Sequence, residues 1–348
     1  MDYTKQYINN SVIIEDKKKE VCVVSEQTFS SLSSLTTYKK VVDISKHHKI
    51  YGLTQNDYNE VLEKIKKQNC FLEYNYIYDK ISGTQIPLKD LVISANHNPN
   101  RYHALIQNRI NTLSNEAKEK NLSPLFMTLT LPSEFHKMKI DKKTKTLIAN
   151  PKCNHVTPKE AVKHLTKMFS KLRHDRSLKE LSKDERIYFR VNEPHKNGTP
   201  HTHVLLFVPK SSIHRVVTAF KRLFDNKAND IQTNIENATS YIMKYINKTL
   251  PLSKKENLSK KDKYLNAWYC KHRIIRFNCS RTLAPLSLYR LLHEKFNLKE
   301  LTSLVKKKSL SIFVLQTNRD KIMEIFNGDE LIYQRSENYT LRNGLLDF

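Results

Sequence analysis

Two histidines one residue apart, His201 and His203, are the first residues here whose types and spacing suggest chemistry. They begin an apolar run, His201 to Val208, that reads as a β-strand. Residues two apart in a strand project from the same face. The imidazoles are therefore held side by side, which suits a pair of metal ligands. A second strand-like run, Ile187 to Val191, precedes them, and Asn197-Gly198-Thr199-Pro200 between the two is a turn signal. Two antiparallel strands joined by this loop would set Glu193 across from the histidines. A carboxylate suits a hard divalent ion, so Glu193 is the expected third ligand and His195 the alternative. In isolation, a histidine pair in a strand is more often surface or core than metal site.

The second constellation is a helix, Ala238 to about Lys248, capped by Asn237. Tyr241 and Tyr245, four apart, share a face with an offset of only about 40°. Ala238, Ile242 and Ile246 lie to one side of them, Lys244 and Lys248 to the other. The tyrosines thus sit on the border between a buried stripe and a cationic one, where a hydroxyl can reach a phosphate that the lysines attract. A neutral phenol with a pKa of about 10 is a weak nucleophile. Its attack on a DNA phosphodiester needs a polarised phosphorus, which a divalent ion on His201, His203 and a carboxylate would supply as a Lewis acid. The product is a phosphotyrosine that conserves the ester bond. The freed hydroxyl can prime synthesis, and the second tyrosine can run the transfer again. Lys244 is expected at the scissile phosphate or the metal-bound species, and Lys248 on DNA.

The elements that must position these groups follow from pattern. A helix from Asn100 to Lys120 carries Leu105, Ile106, Ile110 and Leu113 at helical spacing. The strand Leu125 to Pro132 puts Thr128 and Thr130 on one face, candidates for DNA contact, and apolar residues on the other. Ile140 to Pro151 reads as a basic loop. Thr157-Pro158-Lys159-Glu160 is a strong helix start, with Val162, Leu165, Phe169 and Leu172 as the buried stripe. Ser211 or Ser212 caps a helix to about Asp225, with Val216, Val217, Phe220 and Leu223 inward. Asp230 to Ile235 is a short strand. The order strand, helix, strand, strand, helix, strand, helix is that of an α+β domain: a central antiparallel sheet flanked by helices, covered at least in part on both faces.

Three regions are expected. Residues 1–95, with the apolar piece Val21 to Val24 and a helix near Asn56 to Lys67, carry no assignable chemistry. Residues 96–250 hold both constellations. Residues 251–348 begin with an exposed charged run, Ser253 to Lys263, and contain Trp268 and a helix from about Leu286 to Phe296. The N- and C-terminal extensions are expected to be mostly helical.

Composition bounds the partners. The 348-residue chain has a formal charge of +25 from 60 Lys and Arg, which favours a polyanion such as nucleic acid. Its five cysteines include Cys22 and form no C-x-x-C, which argues for a reducing compartment and against a zinc finger. No apolar run approaches a membrane span and Met1 to Gln6 lack a signal-peptide apolar region, so a cytoplasmic protein without membrane contact is expected. Five glycines and no phosphate-loop motif argue against ATP hydrolysis.

Three stretches, in order, resemble the HUH endonucleases, and among them the bacteriophage replication gene A protein family of rolling-circle initiators. Phe126 to His136 is similar to the family's first motif, Glu193 to His203 to its metal motif, and Tyr241 to Lys248 to its double-tyrosine motif. Arg276-Phe277 and Leu288-Tyr289-Arg290 resemble a later segment, with Cys279-Ser280 where a glycine is expected nearby. The resemblance covers about residues 70–295. It implies a ferredoxin/RRM-like core and a DNA endonuclease/ligase that nicks one strand of origin DNA by tyrosine transesterification. A 5′-phosphotyrosine link and a free 3′-hydroxyl would result, with later strand joining. It also implies Mg²⁺ or Mn²⁺, a host helicase and polymerase, and work in the bacterial cytoplasm, with Arg276 at DNA. His195 would otherwise be a loop residue near DNA, and His136 lies near the site or serves the strand end. A transposase or relaxase with the same chemistry, and an origin-binding protein without nuclease activity, are the alternatives. A His-triad phosphohydrolase is disfavoured because Leu205 occupies its third histidine position.

Overall fold

The structure, a computed structural model, describes residues 49–140, 143, 147–250, 257–316 and 321–344. The expectations for Met1 to Gln6, Val21 to Val24, Cys22 and residues 253–256 lie outside the described residues.

The helices are α1 Gln55–Tyr74, α2 Leu88–Leu91, α3 Pro99–Glu119, α4 Pro158–His174, α5 Arg176–Lys179, α6 Ile213–Leu223, α7 Ala238–Thr249, α8 Lys260–His272, α9 Leu286–Leu292 and α10 Leu298–Lys306. The strands are β1 Asn75–Asp79, β2 Gln85–Pro87, β3 Leu122–Thr130, β4 Met138–Ile140, β5 Leu147–Ala149, β6 Ile187–Pro194, β7 Pro200–Pro209, β8 Asp230–Gln232, β9 Phe277–Cys279, β10 Leu310–Leu315, β11 Lys321–Asn327, β12 Glu330–Gln334 and β13 Tyr339–Asn343.

Five strands form the central antiparallel sheet in the order β8-β3-β7-β6-β9. The α+β class and the element order β3, α4, β6, β7, α6, β8, α7 follow the sequence pattern. Local signals fix the helix starts. Thr157 and Glu160 close a reciprocal capping box at α4, and the Asn237 side chain accepts from the Ser240 N–H at α7, each satisfying donors that a helix start leaves free. Ser212 precedes α6 but makes no side-chain cap.

Period-two alternation splits the sheet into two faces, and both are covered. Leu125, Met127 and Leu129 of β3 and Val204, Leu206 and Val208 of β7 pack under Leu165, Phe169 and Leu172 of α4 and Val216 and Phe220 of α6. Val162, expected in that stripe, instead packs toward α1 and α8, and Ala161 takes the inward place. On the other face Phe126, Val191 and Leu205 meet Ile106, Ile110 and Leu113 of α3 and Ile242 and Ile246 of α7. Leu288 of α9, Leu301 of α10, Ile325 of β11 and Ile332 of β12 join that same core. Elements on both sides of residue 250 therefore share one apolar interior.

Three local readings are corrected. The basic stretch from Ile140 contains the return strand of a hairpin, β4 paired with β5, because Leu147-Ile148-Ala149 supplies a β-forming run. The charged run to Lys263 includes the start of a helix at Ser259. That serine caps α8, with Asp262 completing the box, so lysines at 260, 261 and 263 decorate the first turn of a helix. The C-terminal extension mixes helices with sheet: β10-β11-β12 form a meander and β13 returns to pair with β1.

Candidate active site

Register builds the site. On the α7 face Thr130 of β3, His201 of β7 and Glu193 of β6 stand in one row across three strands, with Thr128, His203 and Val191 in the next. The Nε2 atoms of His201 and His203 are 3.1 Å apart. Glu193 Oε2 lies 3.4 Å from His203 Nε2 and 3.8 Å from His201 Nε2. Two atoms each about 2.1 Å from one ion, at right angles, stand about 3 Å apart, so these three converge as ligands of a single cation would. Among the described residues this is the group with that convergence.

Two of the three donors are held in the protonation state a cation needs. Burial alone would raise the Glu193 carboxyl, but His203 and Lys248 outweigh it and hold it down at about 2. Burial, then His203 beside it, lowers His201 to about 3 and leaves its ring neutral. Glu193 Oε2 is buried with no hydrogen-bond donor, and the two facing Nε2 atoms cannot both be satisfied by each other as acceptors. The residues present fit a divalent ion.

Thr128, expected on DNA, is positioned to orient His203. Its hydroxyl is 3.1 Å from His203 Nδ1. A proton on Nδ1 shared with that oxygen leaves the Nε2 lone pair pointing at Glu193 and His201. Thr128→Val should therefore weaken Mn²⁺ affinity about 10- to 100-fold with little change in unfolding midpoint, as titration calorimetry would show; unchanged affinity would rule the orienting role out. Thr130 is buried beside His201, its N–H donating to Asn229 Oδ1 at 2.8 Å.

The tyrosine helix lies over this row. Tyr245 packs its ring 3.9 Å from that of His203. Phe126, which sequence reasoning missed, touches His203, Tyr241 and Tyr245 with centroids at 5.6, 4.5 and 5.2 Å. The signal was available: Phe126 shares the Thr128 and Thr130 face by strand alternation. Ile242 and Ile246 are buried, both tyrosines are half-buried, and Lys244 and Lys248 are exposed, as the helical wheel requires. Contacts with α3 seat the helix, from His103 to Asn247 at 2.8 Å and from Thr239 to Ser114 at 2.9 Å. The Tyr241 hydroxyl donates to Gln232 Oε1 of β8 at 3.1 Å. Burial, then the Tyr241 phenol beside it, pushes Tyr245 up to about 12.

The lysines divide. Lys248 sets its ammonium on Glu193 Oε1. Lys244 is exposed and forms no ion pair among the described residues. Arg276 is a correction. It is 5% exposed, its guanidinium donates to Thr249 O and Asn266 Oδ1, and it stacks on Tyr269 at 3.8 Å. This is internal cross-linking, not a DNA contact.

His195 stacks on His201 at 4.2 Å and faces His136 at 5.4 Å, outside the convergent set. Burial, then His136, lowers it to about 4. His136 lies at the strand end, 3.3 Å from Leu131 O and 3.2 Å from Asn197 Nδ2.

The loop between β6 and β7 is held from outside. Trp268 Nε1–H donates to Gly198 O at 3.1 Å, and the Tyr269 hydroxyl donates to Asn192 O at 2.6 Å. The Asn192 side chain accepts from Thr202 and donates to Ile275 O. Gly198 has φ +88°, and a Cβ there would stand 2.3 Å from Tyr51 O. Gly198→Ala should cost at least about 2 kcal/mol through strain and this clash, read as a lower denaturation midpoint; an unshifted midpoint would refute the close packing.

Among the described residues no helix is long and apolar enough to cross a membrane. The family model of the bacteriophage replication gene A protein (GPA) matches residues 35–252. The chain is 32% identical to a replication protein of Haemophilus phage HP1 over 184 residues, 48% of this chain and 22% of that protein. It is 26% identical over 248 residues to a probable replication endonuclease from a prophage-like region of Salmonella typhi, 63% of this chain and 30% of that one. It is 27% identical over 227 residues to the replication gene A protein of Escherichia phage 186, 60% of this chain and 31% of that one. The chain thus spans less than a third of the length of these curated relatives. No solved structure matches it significantly. With the match covering more than half its length, the chain belongs to the bacteriophage replication gene A protein family.

Proposed function

We propose that this chain is a metal-dependent, strand-specific DNA endonuclease that starts rolling-circle replication. The observation that carries the reading is the shared contact of Phe126 with His203, Tyr241 and Tyr245, which sets two phenols beside an imidazole and carboxylate donor set. The names of the curated relatives, a replication protein and a replication endonuclease, support it.

His201, His203 and Glu193 would hold Mg²⁺ or Mn²⁺, which supplies Lewis-acid polarisation of the scissile phosphate when bound. The chain's own residues do the rest. A tyrosine oxygen attacks phosphorus, the bond from phosphorus to the 3′-oxygen breaks, and the phenolic proton passes to solvent as the 3′-oxygen takes one up. The phosphate stays esterified, now to tyrosine at the 5′ end. Because the bond count is conserved, attack by a 3′-hydroxyl on that ester runs the step backwards and joins strands. Lys244, with its ammonium free, neutralises a phosphate oxygen. Lys248 is available to DNA once a metal ion takes over the charge of Glu193. A host polymerase extends the 3′-hydroxyl and a host helicase opens the duplex, which puts the work in the bacterial cytoplasm.

The test is incubation with single-stranded DNA from the replicon's own origin and Mn²⁺, followed by mass spectrometry. A nucleotide-bearing peptide at Tyr241 or Tyr245 is expected. DNA bound without a metal-dependent nick would leave only an origin-binding protein.

A further inference from the structure

A second charged site lies on the opposite face of the sheet. Along β6, Glu193 points to the metal face, and Arg190, three residues earlier, points the other way. Arg190 lines a cleft of about 680 Å³ between α4 and the turn after β9. Arg173, Lys179, Lys183, Arg186 and Arg281 line it too, and no carboxylate does.

Arg190 is the informative member. It is 6% exposed, yet its guanidinium makes no hydrogen bond or ion pair among the described residues, and its Nε is buried without a partner. Its guanidinium carbon lies 5.3 Å from the centre of the Phe169 ring. Arg173 stands over the same ring at 5.6 Å, and its Nε is likewise buried and unpartnered. Buried cations without counter-charge are costly and normally paired. The nearby carboxylates are committed elsewhere: Asp175 to Arg222, Glu180 to Arg215, and Asp184 to Lys120 and Lys306. Hydroxyls complete the wall, with Ser280 and Thr282 bonded to each other at 3.2 Å at its rim.

Two unpaired guanidiniums held by aromatic stacking, ringed by exposed lysine and arginine, match the recognition of phosphate oxygens. We propose that this cleft binds a phosphate of the DNA strand at a distance from the cleaved bond, anchoring DNA that the metal site does not hold. The identification of the anion as DNA rests on the nuclease reading above; the anion site itself does not.

The experiment uses the full chain and labelled single-stranded DNA, long in one arm and just spanning the scissile bond in the other. The exposed pair Arg281→Ala with Lys183→Ala should weaken long-DNA binding about threefold to tenfold and lower the salt slope by about 1 to 2. Nicking of the short oligonucleotide should stay unchanged. Arg190→Met should weaken long-DNA binding likewise, with the folded state checked by circular dichroism. Unchanged affinity and slope in the exposed pair would overturn the proposal. In a third arm, inorganic phosphate at constant ionic strength is tested by thermal shift. Stabilisation of wild type but not of Arg190→Met, with long-DNA binding unaltered, would make the cleft a small-anion site and overturn the DNA assignment. If the wild type nicks neither DNA, the nuclease reading falls, while the affinity and slope still judge the cleft.

Discussion

The double variant Tyr241→Phe with Tyr245→Phe is expected to form no covalent protein–DNA adduct. Rates should fall by roughly four to six orders of magnitude, the scale on which enzymes lose activity when the nucleophile is removed. Both changes delete one oxygen and keep the ring, so the packing against Phe126 and His203 survives. DNA affinity should stay within about twofold of wild type, as for changes that leave packing intact. Denaturing gels with end-labelled origin DNA would read the adduct, and anisotropy the binding. Adduct persisting in the double variant would move the nucleophile elsewhere. The single variants add a further reading, since the Tyr241 hydroxyl is tied to Gln232 while Tyr245 lies against His203 with its phenol pushed up by burial.

The second large effect is at the ligands. His201→Ala should lower metal-dependent nicking about 10²- to 10⁴-fold, the several kcal/mol that a Lewis acid supplies to a developing charge. The loss should be accompanied by loss of Mn²⁺ binding in calorimetry, because two donors in place of three no longer close on an ion. His201 contributes little to the apolar core, so the variant should remain folded. Nicking at the wild-type rate with Mn²⁺ would dissolve the ligand assignment. His195→Ala is the internal contrast, for its ring stacks on His201 and stands apart from the convergent donors.

Much of this arrangement could be read from local pattern. Strand alternation put His201 and His203 on one face, and the turn at Asn197-Gly198 brought Glu193 opposite, where the register is Glu193 with His201. The helical wheel gave the half-buried tyrosines. What escaped depends on tertiary contacts that periodicity alone does not show. Arg276, expected at DNA from the resemblance, is made internal by the approach of Tyr269, Asn266 and Thr249. Lys248 looked free for DNA, and only the register of β6 hands it Glu193. The pairing of β1 with β13 joins Asn75 to Asn343, a separation that no window of sequence can reveal. The lysines of 260 to 263 resembled a solvated tether because their helix buries its apolar side further on, at Leu265 and Trp268.

The grip of Trp268 and Tyr269 on Gly198 and Asn192 has a consequence for biogenesis. Chains fold as they emerge, N-terminal parts first. Both constellations are synthesised before residue 250, but the residues that lock the hairpin come from α8 and from Ile275 and Arg276 behind it. A nascent chain therefore carries every reactive group some time before the loop between them is braced. On the nuclease reading proposed above, competence to cut waits until the later helix has been made and has docked.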